Sequence, residues 1–267
     1  MMPSLPDAPL DGPGLSAAVT GSCWRTVEVV EQTGSTNADL LARAAGGEDI
    51  AGAVLLAENQ VAGRGRNGRT WSAVPRTQIL MSVGVPAVGV PGDTWGWLPL
   101  ATGLAVVDAV ARCSGVRAGL KWPNDVQVDG QKLAGILAEV AAGSAEPVIV
   151  VGIGLNVSLR AEELPDPAAT SLAVLGATPD RGELVVALLG ELDRRLAQWR
   201  AGPAPELLAD YRAASVTVGS RVRAMQPGDR QLIGDAVAID DQGRLVIDGD
   251  GQRTRVSAGD IVHLRPA

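Results

Sequence analysis

The sequence predicts an α+β protein in two parts: a central mixed, largely antiparallel sheet with helices on one face, then a small all-β barrel. Three observations carry this reading. Strand and helix patterns alternate from Thr26 to about Arg212. After Ala214 helical periodicity stops, and five short strand patterns follow, separated by turns rich in Gly and Asp. The 267 residues are 46% hydrophobic, enough for the core of one large or two modest domains.

The elements follow in order. Residues 1–22 are rich in Pro, Gly and Ala and contain no Lys or Arg, so they read as a mobile tail without the basic region of a secretory signal. VEVVE (27–31) and GAVLLAE (52–58) are strands by β-branching and turn flanks; between them STNADLLARAAGG (35–47) is a helix that starts at Ser35 or Thr36 and stops at Gly46. TQILMSVGV (77–85) is a further strand. Residues 95–113 have long helical periodicity with Gly115 as the stop; the apolar stretch within them, about 95–111, is broken by Pro99 and ended by Asp108, too short and interrupted to span a bilayer. KLAGILAEV (132–140) and PVIVVGIGLNV (147–157) form a central antiparallel pair across the loop 141–146. Residues 183–200 are an amphipathic helix, apolar at 184, 188, 192 and 196, and residues 205–214 a shorter one. The five final strands are 215–225, 232–240, 243–248, 252–258 and 260–266, a spacing that fits a barrel of SH3 size. The expected division is a tail at 1–22, a catalytic domain at 23–213 and a C-terminal domain at 214–267.

Composition removes several functions. There are 23 basic and 30 acidic residues, a net charge of −7, which disfavours wrapping nucleic acid. His263 is the one histidine, which argues against a His-rich zinc site or a Ser-His-Asp triad. Cys23 and Cys113 make neither a disulfide framework nor a CxxC pair, so a reducing, cytoplasmic location is expected. Of the basic residues 21 are Arg and two are Lys, Lys121 and Lys132. Where so arginine-biased a chain keeps a lysine, a compact ammonium is a plausible requirement.

Four motifs carry chemistry. In QVAGRGRNGRTW (60–71), Gly63, Gly65 and Gly68 alternate with Arg64, Arg66 and Arg69. Glycines let backbone amides approach a ligand, and guanidinium forks grip carboxylate or phosphate, so this is an anion-wrapping loop. Alone, it reads equally well as a solvated basic loop or an RGG-like segment. In KWPNDVQVDGQKLAGIL (121–137) both lysines flank one hairpin that turns at Asp129-Gly130; WPND alone is more often a structural turn, and the scarce lysines tip the balance toward function. TGSTN (33–37) runs from a strand into a helix N-terminus, where its hydroxyls cap the helix, bind a polar ligand, or both. GIGLNV (152–157) lacks the third glycine of a dinucleotide fingerprint and is weak by itself. The five asparagines, Asn37, Asn59, Asn67, Asn124 and Asn156, all fall in or beside these motifs.

Together, in this order and spacing, the four motifs resemble the biotin–protein ligases over about residues 26–212, and the five-strand tail resembles the SH3-like domain of the bacterial members. The resemblance implies a class II synthetase-like catalytic domain. About two dozen residues precede the first strand, too few for a helix-turn-helix, so the resemblance is to the monofunctional class that does not bind DNA. It implies that biotin and ATP, with Mg²⁺, form biotinyl-5′-AMP and release pyrophosphate, and that biotin then passes to a lysine of the biotin carboxyl carrier domains of acyl-CoA or pyruvate carboxylases. Family members associate through an edge strand of the sheet, so a homodimer is compatible; no membrane contact is implied.

By the same resemblance, Lys132 contacts the biotin carboxylate and the bridging phosphate, and Arg64, Arg66 and Arg69 concentrate positive charge there. Ser35, Thr36, Asn37 and Gln60 line the ureido end, with Gly63, Arg64, Gly65, Arg66 and Gly135 along biotin and Trp71 closing over it. Asn67, Lys121, Asn124 and Asn156 are candidates for nucleotide and phosphate contacts. Asp125 is a base, a metal ligand or a structural partner; metal ligands are otherwise unassigned, Mg²⁺ being carried on the ATP phosphates. The chain departs from the family at Asn67, where many relatives are basic, and in having no aromatic residue from 158 to 198 to cover adenine. The polar loop 62–70 is expected to be disordered without ligand. A lipoate–protein ligase, a biotin-binding protein (a non-repressing one, or a sensor or repressor that contacts DNA) and an inactive scaffold are the competing readings.

Overall fold

A computed structural model describes residues 8–143, 146–202, 205–226, 230–249, 251–257 and 260–263. The catalytic part contains α1 (Gly12–Ala18), β1 (Thr26–Val30), α2 (Thr36–Ala45), β2 (Ala53–Ala57), β3 (Gln78–Pro86), α3 (Trp97–Ser114), β4 (Gly119–Lys121), β5 (Asp125–Val128), β6 (Gln131–Val140), β7 (Val148–Asn156), α4 (Arg181–Arg200) and α5 (Pro205–Ala214). The C-terminal part contains β8 (Arg221–Gln226), β9 (Arg230–Ile239), β10 (Leu245–Gly249), β11 (Gln252–Val256) and β12 (Asp260–His263). The seven strands of the first sheet lie in the order β1-β2-β3-β7-β6-β5-β4. Only β1 and β2 pair in parallel, because α2 makes the crossover between them; every other pair in this sheet is antiparallel.

Strand β2 shows why the sheet is covered on both faces. All five of its residues are buried, and alternate side chains enter different cores. Val54 and Leu56 join Ile79, Val83, Val151 and Ile153 beneath α3 and α4. Leu55 joins Val148 and Val150 beneath Leu40 and Ala44 of α2. The expectation of helices on one face is corrected here: the two long helices share a face, and α2 lies on the opposite one. It covers only part of that face, and the uncovered remainder is where the site forms.

The expected tail at 1–22 is also corrected for its described part. Residues 12–18 are helix α1, with Pro13 in the first turn, where its missing N–H costs nothing. Leu15, Val19 and Trp24 are buried, and a fully buried Leu side chain contributes ~1.5–3 kcal/mol. The segment is pinned from below. The Leu10 amide donates to Glu58 Oε1, and Arg181 donates to the Ala8 carbonyl and, at 2.8 Å, to Glu58. Average composition hid the leucine and the valine, Leu15 and Val19, that bury the segment. Residues 1–7 lie outside the described part, as do 144–145 of the expected 141–146 loop, residue 258 of the fourth C-terminal strand and 264–266 of the fifth.

The first of the five C-terminal strands begins at Arg221 rather than 215. Ser215 instead bridges to Leu120 of β4, and Val216 donates to the Leu120 carbonyl. The five strands are otherwise where the turns placed them, in the order β11-β10-β9-β8-β12. This small sheet is fastened to the catalytic part by two indoles, one on α3 and one in the WPND turn. Trp97 Nε1 donates to the Asp240 carbonyl at 3.1 Å and Trp122 Nε1 to the Gly243 carbonyl at 3.0 Å. Thr217 Oγ1 accepts from the Trp122 amide at 3.0 Å and lies 3.1 Å from His263 Nε2. Burial, then the charge of Lys121, holds the His263 imidazole below its usual pKa.

Candidate functional site

The site is built on the sheet face that α2 leaves open. Along β6 the residues Gly135, Leu137 and Glu139 alternate onto this face, opposite Gly154, Gly152 and Val150 of β7. By that alternation Lys132 belongs on the other face with Ala134 and Ile136. A β-bulge changes this. Val126 of β5 faces Ala134, yet the next residue, Gln127, faces Lys132, so Leu133 is the extra residue. A bulge inverts the parity of the residues beyond it, and Lys132 is re-aimed beside Gly135. The segment 168–170 holds the bulged strand from outside: Lys132 N donates to the Ala168 carbonyl at 2.7 Å, and Thr170 N to the Lys132 carbonyl at 2.9 Å.

The Lys132 ammonium sits 2.6 Å from Asp125 Oδ1 and 5.6 Å from the Trp71 ring centroid. Asp125, opposite Gly135 in register, is thus a structural partner of the lysine in this state. Trp71 lies across Gly135 and Gly154. A Cβ on Gly154 would come within 2.6 Å of Trp71 Cζ2, so no other residue leaves room for the indole. Its Nε1 is buried without a hydrogen-bond partner among the described residues, a donor of the kind that marks a ligand surface. The weak GIGLNV motif owes its second glycine to this contact and its first to Asn37, whose Cγ would lie 2.9 Å from a Cβ on Gly152.

The closed end is a buried hydrogen-bond chain. Ser35 caps α2, and the Thr36 amide donates to Gln60 Oε1 at 2.8 Å. Asn37 Nδ2 donates to the Leu137 carbonyl at 3.2 Å and to Glu139 Oε2 at 2.9 Å, which fixes which way its amide points. Asn37 Oδ1 then accepts from Ser82 at 2.6 Å, so Ser82 accepts in turn from Thr36 at 2.7 Å. Ser82 and Glu139 were not legible as site residues: one is a serine inside an apolar strand, the other a charge near a strand end. Each fell on the cavity face by parity, and that was the available signal.

The open end is the loop 63–71, a small hairpin closed by Trp71 N donating to Gly63 O and Gly65 N to Arg69 O. Asn67 has φ 55°, a left-handed conformation that asparagine tolerates. Arg66 donates to Asn124 Oδ1 at 3.1 Å, and Asn124 Nδ2 to the Ile136 carbonyl at 2.8 Å, which ties the loop to the WPND turn. Arg64 pairs with Glu139 at 2.9 Å.

These walls enclose about 320 Å³, at the small end of the ~300–1,000 Å³ typical of small-molecule sites. Fourteen of the seventeen residues expected from sequence line it: Ser35, Thr36, Asn37, Gln60, Arg64, Gly65, Arg66, Arg69, Trp71, Lys121, Asn124, Asp125, Lys132 and Gly135. Ile261 and Val262 of β12 complete the wall from the C-terminal part. Gly63 and Asn67 support the loop without lining the cavity. Asn156 is 3% exposed and set behind it. Its Oδ1 accepts from Gln78 at 2.9 Å and its Nδ2 donates to the Thr170 carbonyl at 2.8 Å, so in this structure it braces the segment that clamps Lys132. Among the described residues no group of three or more His, Cys, Asp or Glu is assembled for a metal, and no helix is long and apolar enough to cross a membrane.

Residues 29–156 match the Biotin/lipoate A/B protein ligase family, and residues 217–264 match the Biotin protein ligase C terminal domain. The chain is 59% identical over 249 residues to a biotin–[acetyl-CoA-carboxylase] ligase of Mycobacterium tuberculosis, across 92% of this chain and 91% of that one. It is 30% identical to the bifunctional ligase/repressor BirA of Escherichia coli, across 85% of this chain and 70% of the relative. Among solved structures it resembles the Aquifex aeolicus biotin protein ligase in complex with biotin and ATP, with a TM-score of 0.76 at 25% identity, over 90% of this chain and 98% of that one.

Proposed function

The chain belongs to the biotin protein ligase family, and from that premise we infer that it activates biotin with ATP and attaches it to a lysine of carboxylase carrier domains. The single observation that carries the chemistry is Lys132, turned by the bulge onto the cavity floor between Asp125 and Trp71. In the first step a biotin carboxylate oxygen bonds to the α-phosphorus and the bond to pyrophosphate breaks. Two anions must meet, which requires fixed positive charge. Lys132 at the floor and Arg66 and Arg69 on the loop provide it, with Lys121 at the WPND end. A point ammonium reaches both the carboxylate and the bridging phosphate oxygen, which a planar fork does less well. The arriving anions compete with Asp125 for that ammonium.

In the second step the carrier amine bonds to the carbonyl carbon and AMP leaves. Asp125, freed from its pairing, is placed to accept the amine proton. Ser35, Thr36, Asn37 and Gln60 supply donors and acceptors to the ureido ring, and a buried polar network rejects ligands that leave it unpaired. Asp125 is the only acid lining the cavity among the described residues, so the residues suit a magnesium ion carried by the nucleotide rather than caged by protein. When bound, that ion offsets phosphate charge. Trp71 and the loop exclude water from a hydrolysable mixed anhydride.

We place the protein in the cytoplasm on its two free cysteines, and read it as acting without DNA; a homodimer through a sheet edge is compatible with this reading. The test mixes the protein with biotin, Mg-ATP and an apo carrier domain and reads the carrier's intact mass. One biotinyl addition, lost in Lys132→Ala, supports the reading. Addition of lipoate in place of biotin moves the chain to the lipoate branch, and no addition of either overturns the ligase.

A further inference from the structure

We propose that Glu139 is a positioning residue that latches the loop 63–71 to the closed end of the cavity, with the Arg64 side chain as its latch partner rather than a phosphate ligand. The inference rests on the ligase reading and refines it. Glu139 divides its two oxygens between the two halves of the site. Oε2 accepts from Asn37, 3% exposed at the N-terminus of α2, and Oε1 accepts from Arg64 at the start of the loop, both at 2.9 Å.

Two consequences follow from the charges. A guanidinium paired with a carboxylate at 2.9 Å projects little net field toward a phosphate, so Arg64 contributes little to gathering anions. The Arg64 side chain is 49% exposed and that of Glu139 23%. A pair this solvated adds little to folding stability. Its effect is to hold the loop, and with it Trp71, over the cavity. On the other side, loss of Glu139 leaves Asn37 Nδ2 with only the 3.2 Å bond to Leu137 and loosens the amide at the ureido end.

The experiment measures Michaelis constants for biotin and for ATP in the pyrophosphate-releasing half-reaction, for Arg64→Ala, Glu139→Ala, Glu139→Gln and the double alanine variant. Thermal melting serves as the fold control, and the near-isosteric Glu139→Gln stands in if the alanine variant melts early. The latch predicts that each single change raises the biotin constant roughly three- to tenfold and leaves the ATP constant within about twofold, the double variant being no worse than the worse single one. The opposite assignment has opposite signs. If Arg64 grips phosphate and Glu139 merely competes for it, Arg64→Ala raises the ATP constant and Glu139→Ala lowers it. That pattern overturns the proposal, as do multiplying effects in the double variant or an unchanged biotin constant in Glu139→Gln. Failure of the wild-type chain to release pyrophosphate with biotin rejects the ligase reading instead.

Discussion

The two ends of the cavity are built on different principles. At the closed end Ser35, Thr36, Asn37 and Ser82 are all within 4% exposure; Ser35 caps α2, and Thr36, Ser82 and Asn37 satisfy one another. At the open end Arg64, Asn67, Gly68, Arg69 and Thr70 are exposed and sit on a hairpin of two backbone bridges. The closed end is preorganised before a ligand arrives, so it sets which ring fits. The open end carries charge that must move, so it sets when chemistry begins. Lys132 belongs to both, anchored in the floor and reaching under the loop.

The sharpest way to break this division is Lys132→Ala. With its ammonium gone, neither end stabilises the transferring phosphate, and single-turnover pyrophosphate release is expected to fall about 10²–10³-fold; a loss under tenfold places the central cation elsewhere. Next is Gly154→Val, which alters the floor alone and yet acts on the loop by unseating Trp71. Overpacking of this kind costs ~1–3 kcal/mol, so biotin affinity by calorimetry should weaken tenfold or more. Unchanged affinity shows that the indole has another seat.

Smaller effects separate the loop from the floor. Protease cleavage within 62–70 is expected to slow when biotin and ATP are added, and equal rates show a loop indifferent to ligand. Asn67→Ala forces an alanine into the left-handed region at ~1 kcal/mol, which should speed cleavage of the free loop about fivefold, whereas Asn67→Gly should not. The smallest effect lies outside both ends. His263 has a folded pKa below its unfolded value, so its contribution is complete above about pH 6.5 and is lost as pH falls, the unfolded chain protonating first. His263→Gln should flatten that acid loss in melting curves; an identical pH profile shows that the imidazole titrates normally.

Most of the molecule was legible because periodicity and turn chemistry act locally. The strands at 27–31, 77–85 and 147–157 and the helix ended by Gly115 are close to their sequence positions. What sequence could not show came from long-range contacts. The bulge at Leu133 is legible only once β5 and β6 are in register, so Lys132 was found by scarcity and not by geometry. Asn156 was found by scarcity too, and its two hydrogen bonds are to protein, because rarity does not distinguish a ligand contact from a brace. Helix α1 was missed because its composition resembles a linker, while it is held by the burial of Leu15 and by Glu58 and Arg181, far along the chain, which fix the residues just before it.

The two indole bonds that join the catalytic and C-terminal parts also bear on how the chain can be taken apart. Cutting after Ala214 would uncover Trp97 and Trp122, both at most 1% exposed in the whole chain, and would remove the Asp240 and Gly243 carbonyls and the Thr217 hydroxyl from their N–H groups. Water would satisfy the freed donors, but uncovering the indoles forfeits about 25 cal/mol per Å² of apolar surface, drawn from the ~5–15 kcal/mol that holds a domain together. The chain is therefore a poor candidate for modular dissection. Calorimetry should record a single heat-absorption peak for both sheets, and grafting the barrel onto another protein would require both tryptophans to travel with it.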